Sequence, residues 1–170
     1  FSLLATPKMD VSIIIIHYKT LKFTTDCIRS IYEHTKGVSF EIIVVDNDSQ
    51  DGAAALIKSE FPAISWLNMG YNAGFSRANN TGIRAAKGRY YLLLNSDTEL
   101  LDDTITRCVK RLDAQPETAA CGGIQLFSDG TPRPFYRSLA IFKRTLYVLP
   151  PGQFFKKLLE KLIPETHYDD

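Results

Sequence analysis

The chain has 170 residues, of which 45% are hydrophobic and 23% are charged, a composition typical of one ordinary globular domain or part of one. Twenty basic residues stand against 19 acidic residues, and the net charge is +1. No global field therefore exists to attract nucleic acid or an anionic membrane, so we expect binding at local sites and no nucleic-acid partner.

Four apolar runs, each as long as a buried strand, alternate with segments of helical spacing. The runs are residues 11–16, 40–45, 64–67 and 90–94. Their hydrophobicity is continuous rather than alternating, which predicts burial on both faces, as in parallel strands covered by helices. None approaches the roughly 20 residues that cross a bilayer, so we expect neither a transmembrane span nor a signal peptide.

Helices are predicted after each run. They span residues 23–32, 54–61, 76–87 and 102–115. We expect Thr24 or Thr25 to cap the first helix, Pro62 to close the second and Gly88 to end the third. Right-handed crossovers then predict an α/β fold with an open, mostly parallel sheet and helices on both faces. This is a nucleotide-binding architecture, but a fold alone defines no function.

The pattern changes after Ala120. Residues 122–127 predict a further strand, and Asp129 with Gly130 is a typical tight-turn pair. Several prolines then break the pattern, and residues 154–163 have amphipathic helical spacing. We predict an appended remnant or disordered terminus at 1–8, a ligand-binding α/β domain at 9–127, and an irregular excursion with an amphipathic helix at 128–170.

The cysteines and histidines indicate no site of their own. Cys27, Cys108 and Cys121 are odd in number and lack C-x-x-C spacing, so neither a disulfide framework nor a zinc cluster is indicated, and each is interpreted as a core residue. This usage fits a reducing, cytosolic setting. His17 and His34 lack a nucleophile or metal partner at a recognisable spacing and are interpreted as structural.

Polar residues follow three of the four apolar runs. In open parallel sheets, ligands bind outside the carboxyl ends of the strands. The three polar segments are residues 17–20, 46–52 and 95–99. Any one of them fits an ordinary turn or cap, whereas three at one sheet edge predict a ligand site.

Asp46 follows four apolar residues and is expected to emerge at the end of a central strand. A ligand role is therefore favoured for Asp46 over a capping role. For Asp48, Ser49 and Asp51, capping of the next helix is the better interpretation.

Asp97, with Asn95 and Ser96 beside it and Glu99 nearby, is the strongest single candidate. These side chains supply the oxygen ligands of a hard divalent cation that retains waters and takes its other ligands from substrate phosphates. The alternative is a helix cap before Leu100.

The segment 68–75 is rich in glycine and asparagine and leads into a helix that carries Asn79 and Asn80. Glycines let a backbone approach a ligand closely, and a helix start offers unpaired amides to an anion. The segment matches neither the dinucleotide fingerprint nor the ATPase phosphate loop. Adjacent asparagines on a helix face different directions, so one of the two is expected at the site.

Four motifs resemble those of family 2 glycosyltransferases, in the same order and at similar spacing. They read VSIIIIHY, VVDNDSQDG, NAGFSRANNTGI and LLLNSDTEL and extend over about residues 10–137. The chain looks most like the rhamnosyltransferase-like branch that builds bacterial cell-surface polysaccharide.

The resemblance implies a GT-A fold that binds a UDP- or dTDP-linked sugar and a divalent metal, Mn²⁺ or Mg²⁺. It implies inverting transfer of the sugar to a glycan or lipid-linked acceptor. By position, Tyr18 would lie near the base, Asp46 would hydrogen-bond the base, and Gly74 with Asn79 would line the donor pocket. Asn95, Ser96 and Asp97 occupy the D-x-D position, where Asp97 would hold the metal.

In the family, the carboxylate base comes from a Glu-Asp pair well downstream of the D-x-D position. No match precedes Asp170, so the base is expected beyond Asp170. The chain is then expected to be truncated, with a donor site and little or no transfer. The competing interpretations are a non-catalytic nucleotide-sugar-binding or assembly module of the same fold, and a doubly wound domain with an unrelated ligand.

Two further expectations concern surfaces. The segment 154–163 could rest on the inner face of the membrane, although packing on the protein is slightly favoured. An apolar surface left by a missing acceptor half would drive self-association. The expected location is cytoplasmic, and the alternative is a peripheral position at the inner face of the membrane.

Overall fold

The computed structural model describes residues 9–127 and 129–133. The chain divides after Gly123 into two units, which are described separately. Strands and helices alternate in the first unit. They are β1 (Met9–His17), α1 (Leu21–His34), β2 (Phe40–Asp46), α2 (Ala53–Glu60), β3 (Ser65–Asn68), α3 (Phe75–Ala85), β4 (Gly88–Asn95) and α4 (Thr104–Ala114).

The strands form one sheet in the order β3-β2-β1-β4, and each neighbouring pair is parallel. In this register, His17 lies opposite Asp46, and Ile16 lies opposite Asn95. The predicted open parallel sheet is confirmed, and the carboxyl ends of β2, β1 and β4 lie side by side.

Helices cover both faces of the sheet, as predicted. On one face, α1, α2 and α4 pack on the sheet through a core that includes Ile13, Ile15, Ile28, Ile31, Ile42, Ile57, Ile105 and Val109. On the other face, Ala78 of α3 packs against Ile14, Ile43 and Val45. A Cβ at Gly82 would lie 2.5 Å from Ile14 Cγ2, so the glycine lets α3 approach the sheet closely. Each fully buried aliphatic side chain stabilises the fold by roughly 1.5–3 kcal/mol.

The predicted burial of both strand faces is wrong for β4. Tyr91 is 52% exposed and Leu93 is 48% exposed. The reason is that α3 packs mainly on β1 and β2, so β4 is covered chiefly on the side of the larger core.

Two predicted helix boundaries also change. Helix α1 begins at Leu21 with Thr20 as its N-cap, and Thr24 is a fully buried residue of the first turns rather than a cap. Phe23, the first residue of the predicted helix, is 54% exposed. Helix α3 ends at Ala85 with an extended C-cap residue, and Gly88 opens β4 instead of closing the helix.

In the second unit, the predicted strand at 122–127 is reduced to a single antiparallel bridge between Leu126 and Pro132. The predicted Asp-Gly turn is present, because Gly130, at φ +81°, donates its N–H to the Phe127 carbonyl oxygen at 2.9 Å. The expectations for residues 1–8 and for the amphipathic segment 154–163 lie outside the described residues. Across the residues that are described, no helix is both long and apolar enough to traverse a bilayer.

Candidate functional site

The structure brings the main predicted site residues to one edge of the sheet. Asp46 ends β2, Asn95 ends β4, and β1 lies between these two strands. Neighbouring strands are about 4.8 Å apart, so the backbones of Asp46 and Asn95 are separated by roughly 10 Å. Tyr18, which is 42% exposed, follows β1 at the same edge.

Asp46 is half-buried, and its Oδ1 accepts a hydrogen bond from Ser49 N at 2.9 Å. This bond closes a tight loop in which Asp48 and Gln50 adopt positive φ values of 69° and 54°. None of the hydrogen bonds among the described residues uses Asp46 Oδ2. One carboxylate oxygen therefore shapes the loop, and the other can accept a hydrogen bond from a ligand.

The N-cap of α2 is Gly52, without a side-chain cap, so the prediction of a cap at Asp48, Ser49 or Asp51 is wrong, although Asp51 bonds to the start of the helix. Ala53 N, at the start of α2, donates to Asp51 Oδ1 at 3.0 Å. Ser49 Oγ instead accepts a hydrogen bond from Lys19 N, and Asp48 Oδ1 accepts one from the Gln50 side chain. Ser49 thus ties the loop after β1 to the loop after β2.

The D-x-D position forms a turn directly after β4, in which Thr98 N donates to the Asn95 carbonyl oxygen at 3.2 Å. The side chains of Asn95 and Asp97 are exposed, and Ser96 Oγ lies 3.3 Å from Thr20 Oγ1. The Asp97 carboxylate takes part in no hydrogen bond within the described residues. It does not cap a helix, since α4 begins only at Thr104 with Asp103 as its N-cap.

The loop ahead of α3 contains two glycines in the left-handed region, Gly70 at φ 74° and Gly74 at φ 76°. Gly74 is the N-cap of α3, and no side chain caps this helix. Asn79 is buried, and its Nδ2 donates to the Phe75 carbonyl oxygen at 3.0 Å. Asn80 is exposed, so the two asparagines do face different directions.

Sequence reasoning missed Asn47, which is only 5% exposed. Its side chain bonds to Asn72 and to Ala73 N, in the loop ahead of α3. In the sequence, only its position directly after Asp46 could have indicated that Asn47 matters for the site. Its hydrogen-bond partners are 25 and 26 residues away and cannot be recognised from the sequence.

His17, interpreted as structural, is fully buried and bonded through both ring nitrogens. Nδ1 lies 2.8 Å from Thr24 Oγ1, and Nε2 lies 3.1 Å from Asp51 Oδ2. Burial of Asp51 opposes its charged form, but hydrogen bonds from Ala53 N and His17 outweigh this effect and hold the pKa of Asp51 below its ordinary value.

The thiol of Cys27 lies beneath this edge and donates to the Asn95 carbonyl oxygen over 3.7 Å. Burial, together with the negative charges of Asp97 and Glu99, raises the pKa of Cys27 to about 12. A thiol with so high a pKa is a packing group and not a nucleophile at neutral pH.

Within the described residues, no cluster of three or more His, Cys, Asp or Glu side chains could by itself hold a metal ion. The donor set at the D-x-D position consists only of oxygen groups beside one exposed carboxylate, Asp97. Such a set fits a hard cation that receives its remaining ligands from water and from a bound diphosphate, and it does not fit a metal caged by protein alone.

Comparison with known proteins identifies relatives of this chain. The succinoglycan biosynthesis protein ExoO of Rhizobium meliloti is 31% identical over 135 residues, which cover 78% of this chain and 37% of ExoO. The chain therefore spans little more than a third of that relative's length.

Two solved structures share the fold. The Pyrobaculum calidifontis mannosyltransferase PcManGT, in complex with GDP-Man and Mn²⁺, aligns with a TM-score of 0.56 and 25% identity over 62% of this chain and 33% of its own. S. aureus TarS 1-349, in complex with UDP-GlcNAc, aligns with a TM-score of 0.57 and 21% identity over 64% of this chain and 32% of its own.

These neighbours have the GT-A fold, and the four-stranded parallel sheet described above matches it. The family model described as Glycosyl transferase family 2 matches residues 12–168, which is nearly the whole chain. The chain therefore belongs to glycosyl transferase family 2.

Proposed function

We propose that this chain binds the donor of an inverting glycosyltransferase that acts in cell-surface polysaccharide synthesis. The donor is a UDP- or dTDP-linked sugar, and the acceptor is a glycan or a lipid-linked glycan, as in the rhamnosyltransferase-like branch. The observation that carries the proposal is that Asp46 and Asp97 follow strands on either side of β1, at the edge where α/β sheets bind ligands.

Different site residues contact different parts of the donor. Asp46 Oδ2 accepts a hydrogen bond from the base beside Tyr18, and Gly74 with Asn79 lines the pocket for the rest of the donor. Asp97, flanked by Asn95 and Ser96, holds Mn²⁺ or Mg²⁺. A bound divalent metal would neutralise the charge that develops on the diphosphate leaving group. The base that activates the acceptor hydroxyl is expected beyond Asp170.

Isothermal titration calorimetry with UDP, dTDP and GDP, each with and without Mn²⁺ or Mg²⁺, tests this proposal. We expect UDP or dTDP to bind, with an affinity that rises when metal is present. Asp97→Ala is expected to abolish the metal effect, whereas Glu117→Gln, which removes an exposed charge outside the proposed site, is expected to retain it. Absence of binding in every condition, or metal-dependent binding that survives Asp97→Ala, would contradict the proposal.

A non-catalytic nucleotide-sugar-binding or assembly module of the same fold is the second candidate, because the donor-site residues described above would bind a nucleotide sugar with or without turnover. A transfer assay separates the two. Donor binding without turnover by the longest native form of the protein favours the module, and product formation favours the enzyme.

The proposed location is cytoplasmic. Residues 154–163 are proposed to contact the membrane surface peripherally. An uncovered apolar surface is proposed to drive self-association. Liposome co-sedimentation that is unchanged when Phe154, Phe155 and Leu158 are replaced by serine would remove the membrane contact. Sedimentation velocity over a range of protein concentrations would detect self-association.

A further inference from the structure

We propose that Asn47 is a positioning residue, which holds the loop ahead of α3 in the conformation that binds the donor. This inference rests on the donor site proposed above and adds a residue that contacts the loop rather than the ligand. Asn47 lies directly after β2, and its own backbone N–H donates to the His17 carbonyl oxygen at 2.9 Å. Its backbone is therefore fixed to the end of β1.

The side chain of Asn47 joins two loops that are far apart in sequence. Its Nδ2 donates to Asn72 Oδ1 at 2.9 Å, and its Oδ1 accepts from Ala73 N at 2.8 Å. Asn72 Oδ1 accepts a second bond from Gly74 N at 3.1 Å. These three hydrogen bonds are called the asparagine clamp below.

Two backbone donors determine how both amides are oriented. Ala73 N–H can pair only with the oxygen of Asn47, and Gly74 N–H can pair only with the oxygen of Asn72. Asn47 must then present its NH₂ group to the remaining lone pair of Asn72 Oδ1. If the oxygen and nitrogen of the Asn47 amide were exchanged, its NH₂ group would face the N–H of Ala73. If those of the Asn72 amide were exchanged, its NH₂ group would face the N–H of Gly74.

Around its two glycines, this loop has little side-chain packing. A Cβ built at Gly70 or Gly74 would meet no atom within 4 Å, and both glycines have positive φ. Glycine at such positions also has many alternative conformations in a free loop. If the clamp opens, the binding-competent loop is populated less, and the apparent affinity for the donor falls in the same proportion.

Two isosteric substitutions separate the clamp from a simple charge effect. Asn72→Asp keeps an oxygen that can accept from both Asn47 Nδ2 and Gly74 N. Asn47→Asp places a carboxylate oxygen against Asn72 Oδ1, and rotation of the Asn72 amide would remove the acceptor of Gly74 N. Both variants add one negative charge to the same loop pair, so the difference between them reflects the clamp together with the burial of the carboxylate at position 47.

The test is calorimetric titration of the full 170-residue chain with UDP and with dTDP in the presence of Mn²⁺, at a temperature where circular dichroism shows every variant folded. Loss of one buried hydrogen bond with its partner left unpaired corresponds to a loss of about tenfold or more in affinity. We expect Asn47→Asp to bind at least about tenfold more weakly than Asn72→Asp. In the ligand-free protein, we also expect faster hydrogen exchange at the Ala73 and Gly74 amides of Asn47→Asp than in Asn72→Asp.

Equal affinities of the two folded variants would overturn the inference while leaving the donor site intact. If Asn47→Asp does not fold, Asn72→Ala decides, because Asn72 is exposed and its truncation removes the partner of both Asn47 Nδ2 and Gly74 N. Weaker binding by Asn72→Ala supports the clamp, and wild-type affinity overturns it. If the wild-type chain binds no nucleotide, the proposed function fails, and the inference fails with it.

Discussion

His17 Nε2 lies 3.1 Å from Asp51 Oδ2, and this contact joins the end of β1 to the start of α2. The ring is fully buried, and its other nitrogen bonds to Thr24 of α1. Because Asp51 also accepts a hydrogen bond from Ala53 N, one carboxylate connects the buried ring to the first amide of α2. The imidazole therefore links β1, α1 and α2 beneath the proposed donor site, in addition to the apolar core that these elements share.

Replacing His17 by phenylalanine is expected to reduce the free energy of unfolding by about 1–3 kcal/mol, since the ring volume is kept while Thr24 Oγ1 and Asp51 Oδ2 lose a partner. Urea denaturation followed by circular dichroism measures the change. Asp51→Asn keeps an oxygen for either His17 or Ala53 N, and we expect a smaller loss. A His17→Phe variant as stable as the wild type would show that these hydrogen bonds contribute nothing net.

The strands were predictable because continuous apolar runs of this length have few other uses. The predicted runs 11–16 and 40–45 agree with β1 and β2 to within two residues at every end. The exposure of Tyr91 and Leu93 could not be predicted in the same way. This exposure depends on which strands α3 covers. The hydrophobicity of a single strand does not indicate which strands a helix covers.

The polar residues that the sequence did not place make side-chain contacts with another element of the fold. Thr24 looks like a helix cap, yet it is buried, and its Oγ1 lies 2.8 Å from His17 Nδ1 of β1. Asn47 looks like one more polar loop residue, yet its partner Asn72 is 25 residues away. The sequence predicts which sheet edge carries the site, whereas the hydrogen bonds that shape the site arise only when the loops meet.

Gly88 is expected to tolerate no side chain. A Cβ there would collide with the backbone nitrogen of Ser12 and lie 2.7 Å from the carbonyl carbon of Val11. We expect Gly88→Ala to lower the free energy of unfolding by about 1–3 kcal/mol through displacement of β4 from β1. Gly122→Ala is the matched control, because no atom lies within 4 Å of the added Cβ, and its effect should stay within about 0.5 kcal/mol. Similar stabilities of the two variants would argue against this close approach of the strands.

Asp46→Asn tests the proposed contact with the base. The variant keeps an oxygen to accept from Ser49 N, so the loop is expected to remain closed, but Nδ2 replaces the acceptor that faces the base. We expect the dissociation constant of UDP to rise about tenfold with little change in melting temperature. Asp48→Asn removes the same charge from the same loop. If that control weakens UDP binding equally, the effect of Asp46 is one of charge and not of a hydrogen bond to the base.

The three cysteines are expected to react with iodoacetamide at very different rates. Cys121 is exposed, so its interpretation as a core residue is wrong, and it should be modified first. Burial, followed by the neighbouring Cys121, raises the pKa of Cys108 to about 11, and burial with the charges of Asp97 and Glu99 raises that of Cys27 to about 12.

Only the thiolate is alkylated, and a raised pKa means that thiolate forms only as the pH climbs towards that value. At neutral pH, the thiols of Cys108 and Cys27 are therefore almost entirely protonated. Mass spectrometry of peptides from timed reactions at pH 7 and pH 9 should show Cys121, then Cys108, with Cys27 unmodified until urea unfolds the chain. Alkylation of Cys27 at the rate of Cys121 in the folded protein would mean that the thiol is not buried beneath Asn95, and the packing of α1 against the end of β4 would then be wrong.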